Sequence, residues 1–210
     1  MRTTLQAVQE MARRLGKHPP AGLDTGGNSL QAQLERVLDD ASNSVQSEGW
    51  FWNTKHNITV TPTGSKIQVN QLENVADIGV SPIYATIFHV DTDGTDSNVN
   101  VVRNGDYLYN LTDNTDTFTS SIKLTYTYKR EFENVPEAFQ SWIIALASFN
   151  YNRHYIGDKS SDGALQVEMQ DARRQATREE IRSADVNVLN TQEMRQIRGR
   201  RRTPDRSVYE

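Results

Sequence analysis

Five groups of residues in this chain have types and spacing that could carry chemistry. They are four histidines, a run of aspartates, a glutamate pair, a tryptophan-rich triplet and a C-terminal arginine cluster. The histidines stand apart. Pro19, Asn57, Val90 and Tyr155 follow them, so none opens the His-Glu-x-x-His spacing that turns two imidazoles toward one zinc ion. His154 and Tyr155 fall at the expected end of a helix, where an imidazole meets the helix dipole favourably and needs no further role. Asp91, Asp93 and Asp96 around Gly94 resemble a calcium loop, since close carboxylates attract a hard cation. Their spacing fails: the glycine is not sixth, and Val102 stands where the loop needs its bidentate glutamate. A solvated hairpin tip is the better reading. Glu179 and Glu180 lie between Arg178 and Arg182, the pattern of a salt-laced helix surface rather than an acid–base pair. Glycine-framed serine elbows, phosphate loops and dinucleotide fingerprints are absent. That removes the simplest enzyme classes, and no metal or cofactor is implied. With 0 cysteines, thiolate catalysis, a disulfide framework and Cys-ligated zinc or iron–sulfur are excluded.

Two groups are left. Trp50, Phe51 and Trp52 offer a stacking platform for bases or sugars. Gly49 precedes them where the hydrophobic period changes, which favours inward packing of Trp50 and Trp52 at a junction. The basic end carries Arg195, Arg198, Arg200, Arg201, Arg202 and Arg206, with Tyr209 its only aromatic. Guanidinium groups grip phosphates or carboxylate-lined clefts bidentately. A partner-docking arm and a solvated tail are equally consistent with it. The whole chain, at net charge −4, is not a polycation that wraps nucleic acid.

The elements that must position these groups follow from periodicity. Leu5, Val8, Met11, Ala12 and Leu15 predict a first helix stopped by Gly16 and by Pro19 and Pro20. Ser29 predicts the cap of a second, with Leu30, Leu34, Val37, Leu38, Ala41 and Val45 as its stripe and Gly49 as its end. From Trp50 the period becomes two. Strands are expected at Trp50–Trp52, at Ile58–Val60 and Ile67–Val69 around a turn at Pro62, Thr63 and Gly64, and at Tyr84–Val90. Asn104-Gly105 between Val101-Val102 and Tyr107-Leu108-Tyr109 predicts a type I′ hairpin. Ile122, Leu124, Tyr126 and Tyr128 share one face of the clearest strand. After Pro136 a third helix presents Phe139, Trp142, Ile143, Leu146 and Phe149, the expected centre of the core. A loop over Gly157–Gly163 leads to a fourth, charged helix at about Ala164–Ser183, with Leu165, Met169, Ala172, Ala176 and Ile181 inward.

Helix pairs at both ends cannot bury their faces alone, so the expected fold is α+β. It has a discontinuous four-helix unit (1–49 plus 134–185), a β-rich insertion (50–133) and an extended basic C-terminal arm (186–210). Trp50, Trp52, Phe139, Trp142, Ile143 and Leu146 are the expected core and junction. The longest apolar run, Ile143–Ala147, is far short of the roughly 18 residues of a membrane span. A soluble protein made in a cytoplasm is expected.

The ordered set of motifs resembles the tail tubular protein A family, head-to-tail adaptors of T7-like short-tailed bacteriophages. The resemblance lies in Leu5–Val8, Pro19-Pro20, Gln46–Trp50 with Asn53, Tyr107–Tyr109, Thr112–Phe118 and Ser121-Ile122. It is densest in Val135–Ile143, Ala147-Ser148, Asn152-Arg153 and Gly163–Arg174. The basic end after Asn190 departs from the family pattern. The resemblance implies a non-enzymatic virion tail protein, assembled in the bacterial cytoplasm as a dodecameric ring. Its implied partners are the portal protein and a nozzle of the tail tubular protein B type, with viral DNA passing through unread and no membrane involved. The arginine arm and Tyr209 would reach the portal; about 20 residues span up to roughly 65 Å when extended. Two other classes remain open. One is a nucleic-acid-binding protein that clamps DNA with the basic tail, marked by steep salt dependence. The other is a virion enzyme that degrades cell wall.

Overall fold

The computed structural model describes residues 2–23, 29–73, 87–92 and 99–183. The first two helices begin where the sequence supplies caps. Helix α1 (Thr4–Arg14) starts at a capping box, in which Thr3 accepts from the Gln6 amide and Gln6 reaches back to the Thr3 N–H. It ends where Gly16, at φ +65°, lets the Lys17 N–H reach the Ala12 carbonyl at 2.7 Å. Helix α2 (Leu30–Ser47) is capped by the Ser29 hydroxyl and buries Leu34, Val37, Leu38, Ala41, Ser42, Val45 and Gln46.

The chain then turns rather than extends. The Asn53 N–H bonds the Trp50 carbonyl at 3.0 Å, and strand β1 begins only at Thr54 (Thr54–Val60). The alternation of Trp50 and Trp52 is therefore a turn that sends both rings into the same core, not a strand. Ile67 and Val69 likewise do not form a strand. Val69–Glu73 is a short helix, α3, and the Gln68 N–H is met by the Gln71 side chain at 2.9 Å. Strand β2 is Ile87–Thr92, later than expected; residues 84–86 and 93–98, with Asp93 and Asp96, lie outside the described residues.

Strands β3 (Val101–Asn104) and β4 (Tyr107–Asn110) form the expected hairpin one residue out of the expected turn. Asn104 pairs with Tyr107, so Gly105 and Asp106 are central, and only Gly105 has positive φ (+62°). That is a type II′ pattern, which requires glycine at the first central position. Strand β5 (Ile122–Tyr128) occupies the middle of an antiparallel sheet ordered β1-β5-β2. Ile122, Leu124, Tyr126 and Tyr128 are all buried against Val60, Ile67, Leu72, Val90, Val101 and Leu108 in an apolar cluster of their own.

A second cluster gathers the other helices. Helix α4 (Glu137–Tyr151) packs against α1, α2 and the 25-residue α5 (Lys159–Ser183). Phe139, Ile143 and Ile144 are fully buried, and each is worth about 1.5–3 kcal/mol relative to exposure. A π-helical turn, Asn152–Ile156, closes α4 at Gly157. Helix α5 begins at Lys159, so Gly163 lies inside it. The expected loop is shortened because Asp158 supplies a cap, accepting from the Ser160 N–H at 2.9 Å and the Ser161 hydroxyl at 2.6 Å. Leu165 and Ala176 are buried as expected, but Ile181 is 61% exposed and points away from the core. The chain is thus α+β, with one centre built from helices and one from strands. Among the described residues, no helix is long and apolar enough to cross a membrane.

Candidate functional site

The two centres meet at the segment Gln46–Asn53. Gln46 is fully buried at the end of α2. Its Nε2 donates to Ser42 Oγ at 2.8 Å and to the Arg130 carbonyl at 2.9 Å, while its Oε1 accepts from the Arg130 N–H at 2.7 Å. Asn53, also fully buried, accepts from the Trp50 N–H at 2.7 Å. Its Nδ2 donates to the Gln46 carbonyl at 2.8 Å and the Tyr128 carbonyl at 3.2 Å. Two side-chain amides thereby replace backbone pairing exactly where a helix gives way to a sheet, leaving few polar groups unmet. Gly49 sits between them at φ +78°, and a Cβ there would approach Thr127 Oγ1 to 3.1 Å. Glycine suits this position on both counts.

Aromatic rings fill the helical side of the joint. The Trp50 ring lies 4.9 Å from Phe139 and 5.7 Å from Trp142, and Trp52 lies 5.3 Å from Phe139. Such tilted and edge-to-face pairs add about 0.5–1.5 kcal/mol each beyond burial. Trp52, Phe139, Trp142 and Ile143 are buried in the helical cluster, with Trp50 and Leu146 packed half-buried against it. All six core and junction residues thus come together. Trp50 and Trp52 offer no open stacking platform; Phe51 points outward instead.

Helix α5 is fastened over this joint. Arg173 stacks 5.3 Å from the Trp142 ring and pairs with Glu48 at 3.8 Å. Glu180 accepts from the Phe51 N–H at 3.2 Å, so it is a latch between α5 and the turn rather than part of a surface charge ladder. Sequence reasoning named Gln46 and Asn53 only within the resemblance and Glu180 only as helix surface, because their contacts join distant parts of the chain, 84 residues apart for Gln46 and Arg130. The arm residues Arg195, Arg198, Arg200, Arg201, Arg202, Arg206 and Tyr209 lie outside the described residues.

At the far end of α4, a groove of about 470 Å³ opens between α2 and the π-helical turn, lined by Val37, Asp40, Asn150, His154 and Tyr155. Tyr155 stacks 4.8 Å from Tyr151, whose phenol pKa is pushed up by burial and, secondarily, by Tyr155. Next to it, hydrogen bonds from Ser160 and Ser161 pull the Asp158 carboxyl down to about 2. Among the described residues, no three acidic or histidine groups are placed to hold a metal ion.

Cores, joint and latch define an α+β protein in which a helical and a strand-built centre are tied by hydrogen bonds at one joint. A family model described as "Tail tubular protein" matches residues 5–186, which includes both centres and the whole joint. The chain belongs to the tail tubular protein family and is a structural component of a bacteriophage tail. Comparison with the curated proteins finds no match to the chain.

Proposed function

We propose that the chain is the head-to-tail adaptor subunit of a short-tailed bacteriophage. Twelve copies form a ring between the portal and the nozzle protein, and the ring continues the DNA channel used in genome ejection. It is a passive connector that makes and breaks no bond. Residues 1–49 and 134–185 act as one helical unit facing the portal, 50–133 project toward the nozzle, and 186–210 carry the arginine arm onto the portal.

The observation that carries this reading is the joint at Gln46, Asn53 and Arg130, within the family match. A connector must hold two partners at a fixed separation, and a joint of two cores tied by buried side-chain amides resists flexing better than a linker does. Net charge −4 also suits a conduit, because carboxylates facing a lumen repel the phosphate backbone and let DNA slide. Ordering an arm on docking costs free energy but lets a small subunit touch two partners.

Truncation after Leu189 tests the arm. The last residue buried in the described core is Ala176, so the truncated chain should keep its melting temperature and circular dichroism. It should fail to join portal-bearing heads. Normal joining would refute the arm's role.

A further inference from the structure

Helix α5 turns most of its surface away from the protein: of its 25 residues, only Leu165 and Ala176 are buried. Opposite the buried stripe, at helical spacing, lie Val167, Asp171, Arg174, Arg178 and Ile181. Val167 is 57% and Ile181 61% exposed, 14 residues and roughly 21 Å apart along the axis. Between them, Arg174 pairs with Asp171 in its own helix. Arg178 has no ion pair or hydrogen bond among the described residues. This face is apolar at both ends with an uncompensated cation between.

A second, different surface lies beside α2. Helix α4 packs on both α2 and α5. Beside α2, the groove at the π-helical turn is lined by the exposed Tyr155 ring, by His154 and by one carboxylate, Asp40. Asp39, next to it, is engaged by Lys129 at 2.6 Å. Asp40 has no partner among the described residues.

We propose that the outward face of α5 around Arg178 and Ile181 seats in the groove between α2 and the end of α4 on a second copy of the chain. This inference rests on the adaptor reading. Two different, complementary patches make a head-to-tail contact, which closes into a ring when the rotation per copy allows. Arg178 meets Asp40, two opposite charges without partners among the described residues, while Ile181 covers the exposed Tyr155 ring. The Tyr155 ring also offers its face to the guanidinium.

The chain has 0 cysteines, so introduced thiols report contacts cleanly. Phage particles are assembled with the full chain carrying Asp40→Cys, Arg178→Cys or both, and treated with a short bis-maleimide. The double variant should give a ladder of dimers, trimers and higher species, and each single variant only monomer. Dimers from either single variant would indicate a symmetric contact and overturn the proposal. An absent ladder, with the chain present in the particles, would overturn it while leaving the adaptor reading intact. Particles lacking even the unmodified chain would remove the adaptor reading and the inference with it. Should the double-cysteine chain be excluded from particles, charge reversal decides. Asp40→Arg should lower incorporation at least tenfold and Arg178→Asp should restore it; no restoration overturns the contact.

Discussion

Replacing Gln46 with leucine keeps the side-chain volume nearly constant and deletes every polar contact that this side chain makes in the joint. Three hydrogen bonds vanish, at 2.8 Å to Ser42, 2.9 Å to the Arg130 carbonyl and 2.7 Å from the Arg130 N–H. Ser42 can turn its hydroxyl to a helix carbonyl, so its loss is small. The Arg130 N–H and carbonyl have no such recourse, and each costs about 1–3 kcal/mol when left unmet. They are only partly buried, which places the sum near the lower half of that range, about 2–4 kcal/mol. Leucine recovers about 1 kcal/mol through apolar burial. The net loss is about 1–3 kcal/mol, or about 2–12 °C in Tm for a chain of this length. Urea unfolding followed by tryptophan fluorescence measures it, because all three tryptophans (Trp50, Trp52 and Trp142) sit at or beside the joint. Hydrogen exchange supplies a local readout: protection of the Arg130 amide should collapse. A loss below about 0.5 kcal/mol with Arg130 still protected would refute the view that this amide ties the two centres.

Gly49→Ala should destabilise the chain by about 1–2 kcal/mol, since φ +78° is a left-handed conformation and the new Cβ would crowd Thr127 at 3.1 Å. An unchanged thermal melt would contradict the assigned geometry. Asp158 has a folded pKa of about 2, below its ordinary value near 4, so its cap contributes fully above about pH 4 and is lost as pH falls toward 2. Asp158→Asn should flatten that part of the pH dependence of helicity at 222 nm. An identical profile in both proteins would assign the acid sensitivity elsewhere.

Legibility in the sequence followed the range of the interactions. The four apolar residues of β5 fall on one face at period two, and the buried face of α2 repeats at helical spacing; both patterns are local and both elements appear as read, save that Leu30, in the first turn of α2, is exposed. Trp50 and Trp52 mimic a strand because residues two apart also share a side of a tight turn. Ile67 and Val69 mislead similarly, since two apolar residues cannot distinguish a strand from the entry to a short helix. Gly163 was a poor marker of α5's start, because the cap at Asp158 and the following serines outweigh the modest cost of one helical glycine. Ile181 follows Ala176 by five residues, which turns it about 140° round the helix from the inward set and onto the outer face. The aromatic half of the joint was visible as a junction between periods. Its amide half was not, because a glutamine says nothing about an Arg130 backbone 84 residues onward.

Where the chain sits in the particle is the most direct test. A reconstruction of the phage neck at side-chain resolution should show a ring of this chain between portal and nozzle, with its helical centre toward the head and DNA in the lumen. Finding the chain only at the distal tail tip, or in no ring at all, would contradict it.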